Sequence, residues 1–329
     1  MLSPLSDENT LLNLLCSNIV SKILPAKALE QYSQGAISKE FLLPHVKRIK
    51  EISASYTEFN APAELSIADA ESYALYYLPI NFIKVLRALS HCRIDSTKQI
   101  SILDFGAGPG TASLAAKANF KNIAAITQIE KSRTMQKVSQ KLSEHNVNYF
   151  SGLESSSSQF DLIICANSIN ELNFASAGKV LIQLISGLKE EGVLMLLEPA
   201  LLKITRDMMK LRDVLLSHIS VIYPCTHNNF CPLLQNEKEW CHTELDWQRP
   251  LLTRQLDELL GFNKHKLKTS LFIFKKGGSP IQGERVINFP VKRKYGKETM
   301  LCGPNGLRNY TAPKQRKDIE NYSLIENND

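Results

Sequence analysis

Apolar residues recur at helical spacing along the first part of the chain. The pattern covers residues 10–24, 29–37, 40–52 and 67–89. Spacing of this kind predicts amphipathic helices, so residues 1–95 are predicted to form a helical N-terminal region. Pro79 lies inside the last segment, where the loss of a backbone N–H is expected to kink or divide the helix near Leu78.

After residue 95 the pattern changes to short apolar runs that alternate with helical segments. The apolar runs are 100–103, 123–126, 160–164, 192–197 and 267–274. The helical segments between them are 112–118, 132–144 and 175–188, and the serine run 155–158 is typical of a flexible loop. Strands that alternate with helices predict a mainly parallel sheet, and we assign residues 96–276 to such an α/β domain.

A glycine- and proline-containing linker at 277–280 separates this domain from a third region. Residues 285–310 are predicted to form a small β-rich unit, with a turn at Gly303-Pro304-Asn305-Gly306. We therefore expect a C-terminal appendage over 281–317, followed by a tail over 318–329.

Positive charge is concentrated near the C-terminus of the 329-residue chain. The net charge is +6, and residues 264–317 carry fourteen Lys or Arg against two Glu, whereas residues 1–263 carry 25 basic and 27 acidic side chains. Such a cluster of cations attracts phosphate backbones through counterion release, although a merely solvated face would have the same composition. Nucleic acid is the favoured partner.

Composition is typical of a soluble globular protein, at 43% hydrophobic and 22% charged residues. No run approaches the ~20 apolar residues that span a bilayer, and the first residues are acidic rather than basic. We therefore expect no membrane partner and a cytoplasmic location. Seven cysteines, an odd number, argue against a disulfide framework.

A glycine-rich turn follows the first predicted strand. Asp104 precedes three alternating glycines, Gly106, Gly108 and Gly110, and Glu130 ends the next apolar run. Glycines allow the backbone to approach a ligand closely, and an acidic residue at the second strand can accept hydrogen bonds from ribose hydroxyls. An ordinary tight turn and an exposed carboxylate at a helix start are the alternatives.

The charge at this turn distinguishes between two nucleotide-like ligands. A dinucleotide would bring a pyrophosphate, which Asp104 would repel, whereas S-adenosylmethionine brings a cationic amino acid portion. The turn resembles motif one of the class I S-adenosylmethionine-dependent methyltransferases, which implies a Rossmann-like sheet. In that fold, the residue at the position of Asn167 lines the pocket for the adenine and the transferred methyl group.

No acceptor-activating residue is evident. The Asn/Asp-Pro-Pro-aromatic motif of amino-methylating enzymes is absent, and Cys165 is not followed by the proline expected of a cytosine-methylating nucleophile. Cys165 is better explained as a core residue of a strand. The catalytic residues stay unassigned, and methyl transfer itself is left open.

A second group of reactive side chains lies in the turn-rich segment 223–243. Its thiols and imidazoles are Cys225, His227, Cys231, Cys241 and His242. Cys302 could complete a ligand set. One explanation is that these cysteines are buried by coincidence. A structural zinc site usually has two short Cys-x-x-Cys pairs, whereas the wider spacing here suits an iron–sulfur cluster better. Spacing alone does not decide which metal binds.

An ordered set of motifs resembles the methyltransferase-like family associated with the mitochondrial small ribosomal subunit, which has bacterial relatives. Besides the glycine turn, the set includes Tyr77-Leu78-Pro79, Asn170-Glu171-Leu172, Leu197-Glu198-Pro199, Pro224-Cys225-x-His227, Cys231-Pro232-Leu233, Trp240-Cys241-His242 and Leu301-Cys302-x-x-x-Gly306. The resemblance covers residues 65 to 317.

The resemblance implies a four-cysteine 4Fe-4S cluster and association with small-subunit ribosomal RNA during ribosome assembly or translation. The implied ligands are Cys225, Cys231, Cys241 and Cys302, with His227 in reserve if the metal is zinc. Two functions are compatible with it: an RNA methyltransferase, or a non-catalytic iron–sulfur RNA-binding assembly factor. A redox-sensing regulator is a third, weaker hypothesis.

Overall fold

The computed structural model describes residues 4–57, 64–95, 97–143, 147–153, 159–314 and 319–325, so the predicted serine loop at 155–158 lies outside the described residues. The helices are α1 (Pro4–Ile23), α2 (Ala26–Ser33), α3 (Lys39–Thr57), α4 (Ile67–Leu89), α5 (Thr111–Asn119), α6 (Arg133–Leu142), α7 (Phe174–Ser186), α8 (Leu202–Leu215) and α9 (Leu251–Leu260). None of these helices has the length and apolar character needed to cross a membrane.

The main sheet has eight strands. They are β1 (Ile100–Phe105), β2 (Ile123–Ile129), β3 (Val147–Phe150), β4 (Phe160–Ala166), β5 (Leu188–Pro199), β6 (Ser220–Tyr223), β7 (Thr243–Asp246) and β8 (Lys266–Lys275). Their order is β3-β2-β1-β4-β5-β8-β6, with β7 paired to β8. Strands β1 to β5 run parallel, whereas β8 is antiparallel to β5, β6 and β7.

The strand order reverses between β1 and β4, which are neighbours in the sheet although β2 and β3 come between them in the chain. Connections leave these two strands toward opposite sides, so a crevice opens at their carboxyl ends. Ligands of doubly wound sheets bind at this switch point. The glycine turn after β1 and the segment after β4 therefore face the same crevice.

The N-terminal helices pack onto the sheet and share its apolar core. Leu12 of α1, Leu78 of α4, Ile102 of β1 and Leu256 of α9 are all buried in one hydrophobic cluster. Helix α4 begins at the Ser66 cap, whose side chain accepts a hydrogen bond from the Asp69 amide.

Pro79 does not divide α4, contrary to the prediction of a possible break near Leu78. The helix runs without interruption from Ile67 to Leu89. Pro79 and its neighbours Leu78 and Ile80 are buried, because α4 packs against α1, α3, α5 and α6. Burial of this apolar face offsets the one backbone hydrogen bond that proline removes.

Every strand predicted in the main domain is present, but five elements were not predicted. They are β3, α8, β6, β7 and α9. The three strands have four residues each, too short for a clear periodicity, and β7 lies at the sheet margin with half-exposed side chains.

The appendage forms a second, antiparallel sheet, as predicted. Its strands are β9 (Glu284–Val286), β10 (Val291–Arg293), β11 (Gly296–Gly303), β12 (Gly306–Pro313) and β13 (Leu324–Ile325), in the order β10-β11-β9-β13 with β12 paired to β11. The turn at 303–306 joins β11 and β12, and Gly303 pairs with Gly306. Strand β13 comes from the region expected as a tail and pairs with β9.

Candidate functional site

The glycine turn connects β1 to α5 and has a left-handed backbone at each glycine. The φ angles are +68° at Gly106, +53° at Gly108 and +81° at Gly110. A Cβ atom at Gly106 would lie 2.3 Å from the Ser168 Cβ, and one at Gly110 would lie 2.4 Å from the Ser139 Oγ. At Gly108 a Cβ would meet nothing within 4 Å. Gly108 is thus the point at which the turn faces open space.

Glu130 lies directly against this turn. One of its carboxylate oxygens accepts a hydrogen bond from the Gly108 amide at 2.8 Å, and the other accepts one from the Ser132 amide at 2.8 Å. Two residues selected from the sequence for one ligand, Gly108 and Glu130, are therefore in contact although they are 22 positions apart.

Asp104 is buried below the turn, with 1% of its surface exposed. Its carboxylate accepts hydrogen bonds from the Ser113 amide at 2.9 Å and the Ser113 hydroxyl at 2.7 Å. Burial raises the pKa of Asp104 to about 6, although the bonds from Ser113 oppose this shift. In this arrangement Asp104 holds the start of α5, a role that the sequence analysis did not include.

A chain of buried polar side chains extends from Asp104 under the turn. The Gln128 amide donates to the Ser113 hydroxyl at 2.9 Å, and the Ser139 hydroxyl donates to the Gln128 carbonyl oxygen at 2.8 Å. These residues were not identified from the sequence. The feature that could have indicated them is the polar Gln128 inside the apolar strand β2. Together these polar residues keep the turn in one conformation.

Asn167 follows β4 and has a left-handed backbone, with φ at +55°. Its amide donates to the Leu197 carbonyl at 2.8 Å, and the next hydroxyl, Ser168, donates to the Phe105 carbonyl at 3.0 Å. The structure therefore brings the Asn167 segment alongside the glycine turn, with Ser168 packed against Gly106.

Glu198, at the end of β5, supports this segment from below and was not predicted as a site residue. One of its oxygens accepts hydrogen bonds from the amides of Ser168 at 3.1 Å and Ile169 at 2.8 Å, whereas its Oε2 has no hydrogen-bond partner. The side chain is fully buried, and burial raises its pKa to about 8. The sequence feature that could have identified Glu198 is an acidic residue near the end of an apolar strand.

Three carboxyl groups lie around the crevice. Asp104 and Glu171 each lie within electrostatic reach of Glu130. The raised pKa of the fully buried Glu198 leaves that side chain neutral near pH 7, so it adds no charge. A single ion pair crosses this set among the described residues, between Lys131 and Glu171 at 3.5 Å. The crevice is acidic, so it favours a cationic ligand over an anionic one.

A separate cavity lies where the appendage meets the main domain. All four cysteines expected to bind metal line it, together with His227 and Arg285. The cavity is narrow and partly open to solvent. Cys225, Cys231 and Cys241 come from the segment after β6, whereas Cys302 comes from β11 of the appendage.

Contacts of the individual thiols show how the cavity is built. Cys241 Sγ lies 2.7 Å from the Tyr322 hydroxyl, and Cys302 Sγ lies 3.8 Å from His227 Nε2. His242 stacks on Trp240 instead of lining the cavity. As placed in the described part of the chain, no three or more His, Cys, Asp or Glu side chains form a group that could hold a metal ion.

Exposed aromatic and cationic side chains lie at and beside β10 of the appendage. Tyr295 is 77% exposed with Lys294 over its ring, and Phe289 is 46% exposed with Lys266, from β8 of the main sheet, over its ring. All three residues of β10 are exposed, including Lys292. Cations interleaved with exposed rings are typical of surfaces that bind single-stranded nucleic acid.

Comparison with known proteins establishes the family. The family model described as mitochondrial small ribosomal subunit Rsm22 matches residues 67–325, which is most of the chain. The chain belongs to the Rsm22 family. The match begins at α4 and ends at β13, so it includes both the crevice and the cysteine cavity. No curated protein matches the chain significantly.

Solved structures similar to this Rsm22-family chain include methyltransferases. The N-methyltransferase NodS from Bradyrhizobium japonicum, in complex with S-adenosyl-L-homocysteine, has a TM-score of 0.41 and 11% identity, over 61% of this chain and 89% of that one. A precorrin-6y C5,15-methyltransferase from Geobacter metallireducens has a TM-score of 0.37 and 17% identity, over 59% and 88%.

Family membership confirms the resemblance found in the sequence, and the observed topology confirms the predicted fold class. The chain has a Rossmann-like α/β sheet, preceded by helices and followed by a small antiparallel sheet. It belongs to a family tied by its description to the small ribosomal subunit.

Proposed function

We propose that this Rsm22-family protein binds S-adenosylmethionine in the crevice above residues 106–110 and acts on small-subunit ribosomal RNA. The observation that supports this most strongly is the acidic crevice, in which Glu130 contacts Gly108, the one glycine of the turn around which the described residues leave open space. A sulfonium ligand gains from nearby carboxylates, whereas a diphosphate would be repelled by them.

Each cofactor-binding residue has a separate task in this proposal. Gly108 leaves room for the ligand. The Glu130 carboxylate gives up its hydrogen bond from the Gly108 amide and accepts hydrogen bonds from the ribose hydroxyls instead. Asn167, held by its bond to Leu197, lies beside the transferable methyl group. When bound, S-adenosylmethionine supplies an electrophilic methyl group, and the acceptor mainly needs correct orientation beside Asn167.

The cysteine cavity is proposed to hold a 4Fe-4S cluster through Cys225, Cys231, Cys241 and Cys302. Four thiols around one partly buried cavity match the usual ligand set of such clusters. A cluster of several atoms needs its ligands farther apart than a single ion does, which suits a cavity between them. Zinc is the alternative, with His227 as its reserve ligand.

RNA binding is assigned to the appendage because Lys292, Lys294 and the rings of Phe289 and Tyr295 are all exposed there. The partner in this proposal is ribosomal RNA of the small subunit, in assembly or in translation, and the location is the cytoplasm.

A non-catalytic assembly factor is the second candidate, and one observation favours it. The cavity joins the appendage to the main domain through Cys302, so a cluster would organise an RNA-binding surface without any methyl transfer. S-adenosylmethionine would then be a structural ligand.

One experiment tests the proposal and separates the two candidates. Small-subunit particles from cells lacking this protein are incubated with purified holoprotein and radiolabelled S-adenosylmethionine, and the RNA is crosslinked and mapped. Crosslinks with methyl label indicate an enzyme, and crosslinks without label indicate an assembly factor. Gly108→Arg is the control that should retain crosslinks and lose label. A protein that neither crosslinks to small-subunit RNA nor labels it contradicts the proposal.

A further inference from the structure

Arg212 is a fully buried cation in α8. Its guanidinium donates hydrogen bonds to the carbonyls of His227, at 2.6 Å, and Asn229, and it pairs with Asp213 at 2.6 Å. Its Nε atom has no nitrogen or oxygen partner among the described residues, and the Cys225 thiol lies close enough to interact with this guanidinium. A buried charge is costly unless an anion lies nearby.

Arg285, in β9, is a second buried cation and lines the cavity itself, whereas Arg212 lies behind the cavity wall, within electrostatic reach of Cys225, Cys231 and Cys302. It donates to the carbonyls of Pro224 and Tyr322, both at 2.9 Å, and its guanidinium lies 5.3 Å from the centre of the Tyr223 ring. Among the ion pairs of the described residues, none joins Arg285 to a carboxylate.

The charges around the cavity do not balance if the thiols are neutral. Arg212 pairs with Asp213, which also accepts hydrogen bonds from the Cys231 amide at 3.0 and 3.1 Å, and Glu284 near Cys302 pairs with Arg308. Arg285 has no such partner among the described residues. One positive charge is left in excess in a largely buried place. A centre with four cysteine thiolates would carry the missing negative charge.

We infer that Arg212 and Arg285 are counter-charges for an anionic iron–sulfur centre held by the four cysteines, and that they raise its reduction potential. The inference rests on the proposed cluster. A 4Fe-4S core with four thiolates is doubly negative when oxidised and triply negative after it accepts one electron. Nearby cations therefore stabilise the reduced form more than the oxidised form.

Charge must be separated from shape, because Arg212 also shapes the loop through its carbonyl bonds. Arg212→Gln and Arg285→Gln remove a positive charge, whereas Arg212→Lys and Arg285→Lys retain it and lose the planar hydrogen-bonding group. Arg206→Gln is the matched control. Arg206 lies on the same helix and also donates to loop carbonyls, those of Leu234, Asn236 and Glu239.

The experiment uses the full chain purified without oxygen. Iron and acid-labile sulfide are measured first, and the midpoint potential is then determined by titration with dithionite, monitored by electron paramagnetic resonance. Each Gln variant is expected to shift the equilibrium at least tenfold toward the oxidised form, a potential lower by about 59 mV. The Lys variants and Arg206→Gln are expected to stay close to the wild-type potential.

The outcomes distinguish the inference from the proposal beneath it. A wild-type protein without iron and sulfide overturns the cluster and the inference together. The inference alone is overturned if the wild type is brown and both Gln variants have the wild-type midpoint potential. It is also overturned if the Gln and Lys variants change the midpoint potential equally. If Arg212→Gln does not fold, the midpoint potentials of Arg285→Gln and Arg285→Lys are compared in the same way and decide the question.

Discussion

The Glu130 carboxylate accepts a hydrogen bond from the Gly108 amide at 2.8 Å, across the mouth of the crevice. This bond joins the end of β2 to the turn after β1, so the two carboxyl ends of adjacent parallel strands form one polar rim. A ligand that donates hydrogen bonds to the Glu130 carboxylate must replace the bond from the Gly108 amide. Binding therefore depends on both residues, each in a different way.

Gly108→Arg is expected to abolish binding of S-adenosylmethionine, as measured by isothermal titration calorimetry. The side chain would fill the open space at this position, which no other described atom occupies within 4 Å of a Cβ. Gly261→Arg is the matched control, because Gly261 also has a positive φ, at +71°, and open space around it. Unchanged affinity in Gly108→Arg would show that the ligand binds elsewhere.

Glu130→Ala is expected to weaken the binding of S-adenosylmethionine roughly tenfold, or about 1.4 kcal/mol, because the ribose hydroxyls lose their acceptor. Calorimetry of the purified protein measures this change. Glu190→Ala serves as the control, since Glu190 is exposed near the opposite end of the sheet. If both variants bind as the wild type does, Glu130 has no part in the site.

Cys231→Ser is expected to bleach the brown protein and to remove most of the roughly four irons expected in the wild type. Serine keeps the volume of the side chain but is a poor ligand for iron. Cys92→Ser is the control, because Cys92 is buried in the core beside Met195 and does not line the cavity. Iron analysis and the visible spectrum give the answer, and a colourless wild type with one zinc would contradict the assignment.

Glu198 predicts a dependence of stability on pH. Burial raises its pKa from an ordinary value near 4.5 to about 8 in the folded state. The folded protein therefore holds this proton at pH values where the unfolded chain has lost it, so stability falls as the pH rises from about 5 to 8.

Glu198→Gln replaces the neutral acid by a group of the same shape and removes this titration. We expect the variant to match the wild type near pH 5 and to exceed it by about 2 to 4 kcal/mol near pH 8. Denaturant unfolding at the two pH values measures the difference. A constant difference between the variants across the range would mean that the Glu198 carboxyl does not titrate there.

Local sequence determined the elements around the crevice. The apolar runs at β1, β2, β4 and β5 predicted strands that the structure contains, because burial on both faces of a parallel sheet leaves near-continuous apolar runs. The three glycines also predicted a turn with unusual backbone angles, and all three have positive φ. The four cysteines were recognisable as a set because family motifs flank them.

Tertiary structure alone decided which distant residues meet. Glu198 supports the Asn167 segment only because β4 and β5 are adjacent in the sheet, and Arg285 lines the cysteine cavity only because the appendage folds back onto the main domain. Sequence periodicity reports which side of a helix or strand is buried, but not what lies opposite. The charges that surround each site depend on those long-range neighbours, so they emerged from the fold.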